Sequence, residues 1–344
     1  MVGTDKVQDL RSVSNRCEAG QLVMMQILLI GLGAGAASAL LFASVASGSI
    51  ISILLFYLAP LPIMIAALGW SHWSALFAAI VAAVGLSVVF GPFFIVAFLI
   101  GVGLPAWWLG YLALLARPVP DTPDAMEWYP AGQLVVWAGI ISALTVIAAI
   151  PNFGVDEESF RSGLRASFER VLKMQSPADM PADIRNIDPD KVLDLLVAVI
   201  PLAAAVIATL TNTVNLWLAG RIVKVSGNLR RPWPDIPEMR FPPFAPAMLA
   251  VAVALSFLPS LLGTVGSILA ASLLMAYAIL GFAVLHALTR DAAARGFILA
   301  GSYVAVVVLF WPILLMSLAG LADTAFDIRG RLAKKNRPPM DRTD

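Results

Sequence analysis

Gly31-Leu-Gly-Ala-Gly-Ala-Ala-Ser-Ala-Leu-Leu-Phe-Ala-Ser-Val-Ala-Ser47 carries no charge and places a small residue at every fourth position: Gly31, Gly35, Ala39, Ala43 and Ser47. Four residues is slightly more than one helical turn. These positions therefore stack as a slowly rotating stripe on one face of a helix over about residues 22–47. Leu29, Leu32, Leu40 and Phe42 fall on the opposite face. In lipid, apolar burial does not drive helices together. Close backbone approach does, and a small-residue stripe permits it. The stripe predicts a tightly packed helix, set against a neighbour in its own chain or against a partner subunit.

The surrounding composition puts this helix in a membrane. The 344 residues are 60% hydrophobic and 13% charged, about half the charge of a soluble domain. No Asp, Glu, Lys or Arg occurs between Glu18 and Arg117. Further charge-free stretches run over 130–155, 195–220, 241–289 and 296–322. A span needs about 20 apolar residues, so the expectation is an all-α, polytopic transmembrane helical bundle. About nine hydrophobic segments are expected, with one amphipathic helix outside the membrane. A net charge of +1 and the lack of a basic stretch interleaved with aromatics argue against nucleic acid as a partner. A single Cys17 excludes an internal disulfide framework.

Read in order, residues 1–21 form a short polar cytoplasmic tail and 22–320 the transmembrane domain. Residues 321–344 form a basic C-terminal tail. Within the membrane domain, an outer loop covers 152–191. Phe160, Leu164 and Phe168 recur there at helical spacing between charges, the pattern of an amphipathic helix. A basic cytoplasmic loop covers 221–244, with Arg221, Lys224, Arg230, Arg231 and Arg240. Basic loops mark the cytoplasmic side. Nine full crossings from an inside N-terminus would leave the basic tail outside. One segment after Phe241 is therefore expected not to cross fully, and Pro259 and Pro312 mark the two suspects.

Two constellations stand out inside the spans. Pro60 and Pro62 interrupt the second segment, and Gly101, Gly103 and Pro105 interrupt the fourth. Proline deletes a helical hydrogen bond, and interrupted helices recur around transporter sites. The sixth segment carries Thr209, Asn212, Thr213 and Asn215 close together. Asparagine in lipid needs partners, so this face points into the bundle. It is expected either to contact a small-molecule substrate or to bond neighbouring helices, with Tyr277 and Tyr303 as possible companions. His72 and His286 sit at segment ends, where interfacial hydrogen bonds are expected. No catalytic set, phosphate loop, metal cluster or cofactor fingerprint is legible. The chain is therefore expected not to be an enzyme and to hold no cofactor or metal.

The first segment, Pro60-Leu61-Pro62-Ile63, the loop before the sixth segment and the closing Gly320-Leu-Ala-Asp323…Asp327-Ile-Arg329 together resemble a known family. It is the domain-of-unknown-function 2232 family of bacterial multipass membrane proteins. The first four segments are also similar to the substrate-binding subunits of energy-coupling-factor transporters. In that family an Ala-xxx-Ala pair on the first helix docks on a membrane coupling subunit, and Ala39 and Ala43 match its spacing. The resemblance implies a bacterial inner-membrane location, a small-molecule ligand and a coupling subunit as partner. The resulting expectation is a transporter-like substrate-binding component. The alternative is a membrane scaffold or envelope-assembly protein that transports nothing.

Overall fold

The computed structural model describes residues 3–120, 125–174 and 188–335. These residues are helical almost throughout, and one two-stranded antiparallel hairpin, β1 (Ala116–Pro118) with β2 (Met126–Trp128), occurs among them. Among the described residues, seven helical segments are long and apolar enough to cross a membrane: Gly20–Ser47, Ile50–Gly69, His72–Phe90, Phe93–Ala113, Ala131–Asn152, Asp190–Val225 and Leu261–Leu288. Three shorter apolar helices follow the sixth: Ala245–Ser256, Arg295–Leu309 and Pro312–Phe326. The all-α bundle stands. The expected seventh segment carries only a 12-residue helix, and the expected ninth is two helices. The chain divides into two compact units: 1–129 with 214–233, and 130–213 with 234–344.

In the first unit, α1 (Gly3–Ala43) packs along α4 (His72–Phe90). The polar residues before Leu22 continue this helix rather than forming a separate segment. Gly31 and Gly35 make the close approach. A Cβ at Gly35 would lie 2.6 Å from the Ala78 carbonyl oxygen and 2.9 Å from Val81. Each four-residue step turns the stripe by about 40°. Past Gly35 it therefore rolls away from α4. Ser38 takes the buried position, Ala39 and Ala43 are half-buried, and Ser47 is exposed on a 3-10 turn, Ser44–Ser47. Leu29, Leu32 and Leu40 face outward as expected. Phe42 does not. It turns into the unit and meets Phe56, Phe98 and Phe94 at 5.1, 5.3 and 6.4 Å between ring centres.

The remaining spans of this unit are each made in pieces. The second is α2 (Ile50–Tyr57) followed by α3 (Pro60–Gly69). The fourth is α5 (Phe93–Phe98), a π-helical turn (Leu99–Gly103) and α6 (Leu104–Ala113).

The second unit contains α7 (Ala131–Ala149) and the amphipathic α8 (Glu157–Met174). Asp156 starts α8. Its carboxylate accepts from the Ser159 backbone N–H (2.9 Å) and hydroxyl (2.7 Å), the bonds of an N-cap. Phe160 and Leu164 bury their side chains against Ile150, Val197 and Ile268. The next helix, α9 (Pro189–Val225), has 37 residues. At about 1.5 Å per residue it outreaches an apolar layer about 30 Å thick. Its projecting start is clamped to α8 by Arg165, which bonds Asp190 and, at 2.6 Å, Asp194. Beyond Thr213, α9 belongs to the first unit.

Four further helices complete the second unit: α10 (Ala245–Ser256), α11 (Leu261–Leu288), α12 (Arg295–Leu309) and α13 (Pro312–Phe326). Among the described residues α11 is the central one, lying against α7, α10 and α13. Gly281 sits under Met316 of α13, and Gly320 sits on the Tyr277 carbonyl. A side chain at either glycine would strike backbone. Ser317 adds a 2.8 Å bond to the Leu274 carbonyl. The apolar run expected as a ninth crossing turns at Phe310, with φ +60° and a 2.7 Å bond from Trp311 N–H to the Leu309 carbonyl. Each arm has 15 residues, about 22 Å, so neither crosses a 30 Å layer by itself. The second arm ends in α14 (Ile328–Lys335). This returns the chain to the end carrying Asp235 and Arg240, where Arg290 also pairs with Asp235 at 3.2 Å. Both suspected stretches are short in helix: the one at Pro312 is two 15-residue arms, and the one ahead of Pro259 holds a 12-residue helix. The start of the tail lies beside Pro237, Met239 and Arg240. The tail beyond Lys335 lies outside the described residues.

Gly35→Leu is expected to destabilise the purified protein by about 1–3 kcal/mol, since backbone on α4 must move. Gly85→Ala, where a Cβ meets nothing within 4 Å, serves as the control in the same thermal unfolding series. The Ser159 backbone and hydroxyl bonds hold the Asp156 carboxyl below its ordinary value. Its contribution is present above about pH 4, the unfolded carboxyl's pKa, and is lost as pH falls through the lower folded value. Asp156→Asn should therefore lower stability at neutral pH, where the contribution is present, and flatten the acid-side loss below about pH 4.

Candidate functional site

The break between α2 and α3 follows directly from its prolines. Pro60 and Pro62 have no N–H to give to the carbonyls of Phe56 and Leu58. The chain tightens instead: Ala59 N–H bonds Phe56 O at 3.1 Å and Leu61 N–H bonds Leu58 O at 3.0 Å. With Leu61 diverted, Tyr57 O loses its helical donor. Asn215 on α9 replaces it, its Nδ2 donating to Tyr57 O at 2.8 Å. Buried Ser38 on α1 donates to Ala59 O at 2.6 Å. Both groups belong to the first unit. Pro60 is buried and Pro62 half-buried at this break.

The second break sits ahead of buried Pro105, which cannot donate to Gly101 O. The π turn absorbs the mismatch by widening the helix by one residue. Gly103 lets α6 approach Ala79 of α4, where an added Cβ would stand at 3.0 Å. Gly101 has open space around it. The two breaks are connected through aromatic rings. Phe56 precedes the first, Phe98 precedes the second, and Phe42 touches both. The result is an apolar centre edged by Ser38, Asn215 and carbonyl groups, with no charged side chain among these residues.

The polar face of α9 is used differently from end to end. Thr209 meets Ser272 Oγ at 3.0 Å and donates to its own Ala205 carbonyl at 2.8 Å. Ser272 also bonds the Gly139 carbonyl. Asn212 Nδ2 donates to Ser142 Oγ at 3.0 Å. Half-buried Thr213 turns back to the Thr209 carbonyl at 2.8 Å. Thr209 and Asn212 therefore tie α9 to α11 and α7, which is the interhelical use of the face. Asn215 is the member of the group that reaches a helix break. Tyr277 does not join them. It is buried against Phe241, 5.1 Å between ring centres, with its hydroxyl unbonded among the described residues. Tyr303 instead bonds His286 Nε2 at 3.1 Å and stacks on Phe282. His72 packs beside Tyr111 and Trp73.

The closing motif is a buried staple. Asp323 and Arg329 pair at 2.7 Å with side chains 5% and 9% exposed. Arg329 also donates to the carbonyls of Pro237 (2.5 Å) and Met239 (2.7 Å), which fixes the loop before α10 to the end of α13. Asp327, at φ +47°, accepts from Arg240 at 2.8 Å. Sequence spacing showed the charges of this motif but not the two carbonyls they serve. Ser38, Ser142 and Ser272 were also missed, because a serine in an apolar helix has no periodic signature. Among the described residues no three His, Cys, Asp or Glu side chains come together.

Seven apolar helices of spanning length, proline breaks satisfied by neighbouring helices and a polar seam buried between them define a helical membrane protein with several spans. The chain belongs to the domain-of-unknown-function 2232 family, described as "Predicted membrane protein", which matches residues 36–324. No curated protein and no solved structure matches it.

Removing one member of a buried ion pair leaves the other uncompensated. Asp323→Ala should lower stability by about 3–5 kcal/mol. Asp235→Ala, which breaks an exposed pair, should cost under about 1 kcal/mol in the same unfolding measurement.

Proposed function

We propose that the chain is a transporter-like membrane component that binds a small molecule at the interrupted spans of its first unit. The observation that carries this reading is the meeting of two broken helices, through Phe42, beside Asn215 and Ser38. Non-helical backbone at membrane depth is tolerated where it is buried in protein or lines a cavity. Rings with a few convergent polar groups suit a neutral, mostly apolar or amphipathic ligand. The absence of charge among those residues argues against an ionic substrate. The basic loop and tail are read as cytoplasmic, and the membrane as a bacterial inner membrane. Chemistry is assigned to no residue: the Ser38 hydroxyl is engaged with the Ala59 carbonyl, and the centre's rings and amide offer no base beside it.

A second reading rests on Ala39 and Ala43. Gly31 and Gly35 are consumed by α4, but these two alanines remain half-buried. Their spacing is similar to the docking pair of energy-coupling-factor substrate-binding subunits. A coupling subunit or another membrane protein is the partner that fits them. The same pair serves a non-transporting scaffold.

The readings separate in one experiment. A ligand that binds the folded state raises its apparent stability. A screen of neutral metabolites and vitamins on the purified protein should yield a thermal shift. That increment should vanish in Asn215→Leu and survive in Asn212→Leu, whose partner is Ser142. No shift across the screen, together with a co-purifying protein lost in Ala39→Leu/Ala43→Leu, would replace the transport reading with the scaffold.

A further inference from the structure

The end of the first unit where α9 finishes carries cations without counter-charges. Arg221 and Lys224, both exposed, lie 5.8 and 5.0 Å from the ring centre of Trp233. Trp217 stands 6.5 Å from the same ring. Arg231, two residues earlier, reaches under the loop. It donates to the carbonyls of Ala113 and Tyr129, both at 3.2 Å. Its Nε is buried and has no hydrogen-bond partner among the described residues. None of the three cations is paired with a carboxylate among the described residues. Burial without a nearby acid lowers the Arg231 pKa.

The same end is ringed with tryptophan. A Cβ added at Gly69, which closes α3, would stand 3.7 Å from Val223, and one at Gly220 would stand 3.5 Å from Trp233. The α3–α4 turn is thereby level with the end of α9, and it presents the exposed Trp70 and Trp73. Tryptophan collects at the headgroup level of a bilayer, and Lys and Arg on the cytoplasmic face attract anionic lipid.

We propose that this end binds the phosphodiester headgroup of anionic phospholipids, through Arg221 and Lys224 against Trp233, with Arg231 supplying a fixed positive floor. Trp217, Trp70 and Trp73 hold the surface at headgroup depth. Unpaired guanidinium and ammonium groups recognise phosphate. Their place in a tryptophan belt selects a phosphate that is attached to a bilayer.

The test uses the full chain in nanodiscs of phosphatidylcholine with and without phosphatidylglycerol, followed by native mass spectrometry of retained lipid. Phosphatidylglycerol should be retained in preference to phosphatidylcholine. Arg221→Gln/Lys224→Gln should weaken that preference by about five-fold per charge removed. These exposed positions leave folding intact, and Arg161→Gln/Arg170→Gln on α8 should change nothing. Equal retention of the two lipids, or a double variant that keeps the full preference, overturns the proposal. So does complete displacement by soluble glycerol phosphate at matched concentration, which would assign the cations to a soluble anion.

Discussion

A backbone carbonyl released inside a hydrocarbon layer has no water to bond, so the protein must supply the donor itself. Much of the first unit follows from that requirement. Pro60 and Pro62 release the Tyr57 carbonyl, and Asn215 on α9 answers it; Ser38 on α1 bonds the Ala59 carbonyl two residues on. Two helices remote in sequence are thus committed to one break. Proline in the second span therefore places α1 and α9 as well as bending its own segment.

The second unit meets the same constraint with side chains in unbroken helices. Thr209, Ser272 and the Gly139 carbonyl form one chain of bonds, and Asn212 with Ser142 forms another. Such bonds average below about 1 kcal/mol in membrane proteins, so they orient helices more than they hold them together. Close packing does the rest. Gly281 and Gly320 bring α11 and α13 to backbone contact, where dispersion is gained over the whole length of the seam.

The reversal at Phe310 has a consequence at the far end of the same helices. Because α12 and α13 turn back, Asp323 and Arg329 arrive beside the carbonyls of Pro237 and Met239. A buried pair that also serves two carbonyls satisfies most of its own hydrogen-bonding capacity. That is the condition under which a buried ion pair is tolerated.

Several features were legible in the residues alone, because each depends on local geometry. Membrane residence, the breaks at Pro60 and Pro105, the amphipathic α8 and the close approach at Gly31 and Gly35 need only composition and helical period. The drift of the stripe toward Ser47 is also a matter of period, although the inward turn of Phe42 is not. Pairings were not legible. Asn215 and Tyr57 are 158 residues apart, and Asn212 and Ser142 are 70 apart. Neighbouring asparagines on one helix therefore ended with unrelated duties, and Tyr277 went to a different cluster. Nor does hydropathy distinguish an apolar run that crosses from one that turns at Phe310, since both halves are equally apolar. The sequence by itself determined the solvent, the helices and where they break. The tertiary structure decided which polar group bonds which, because that depends on distances between helices that no single helix encodes.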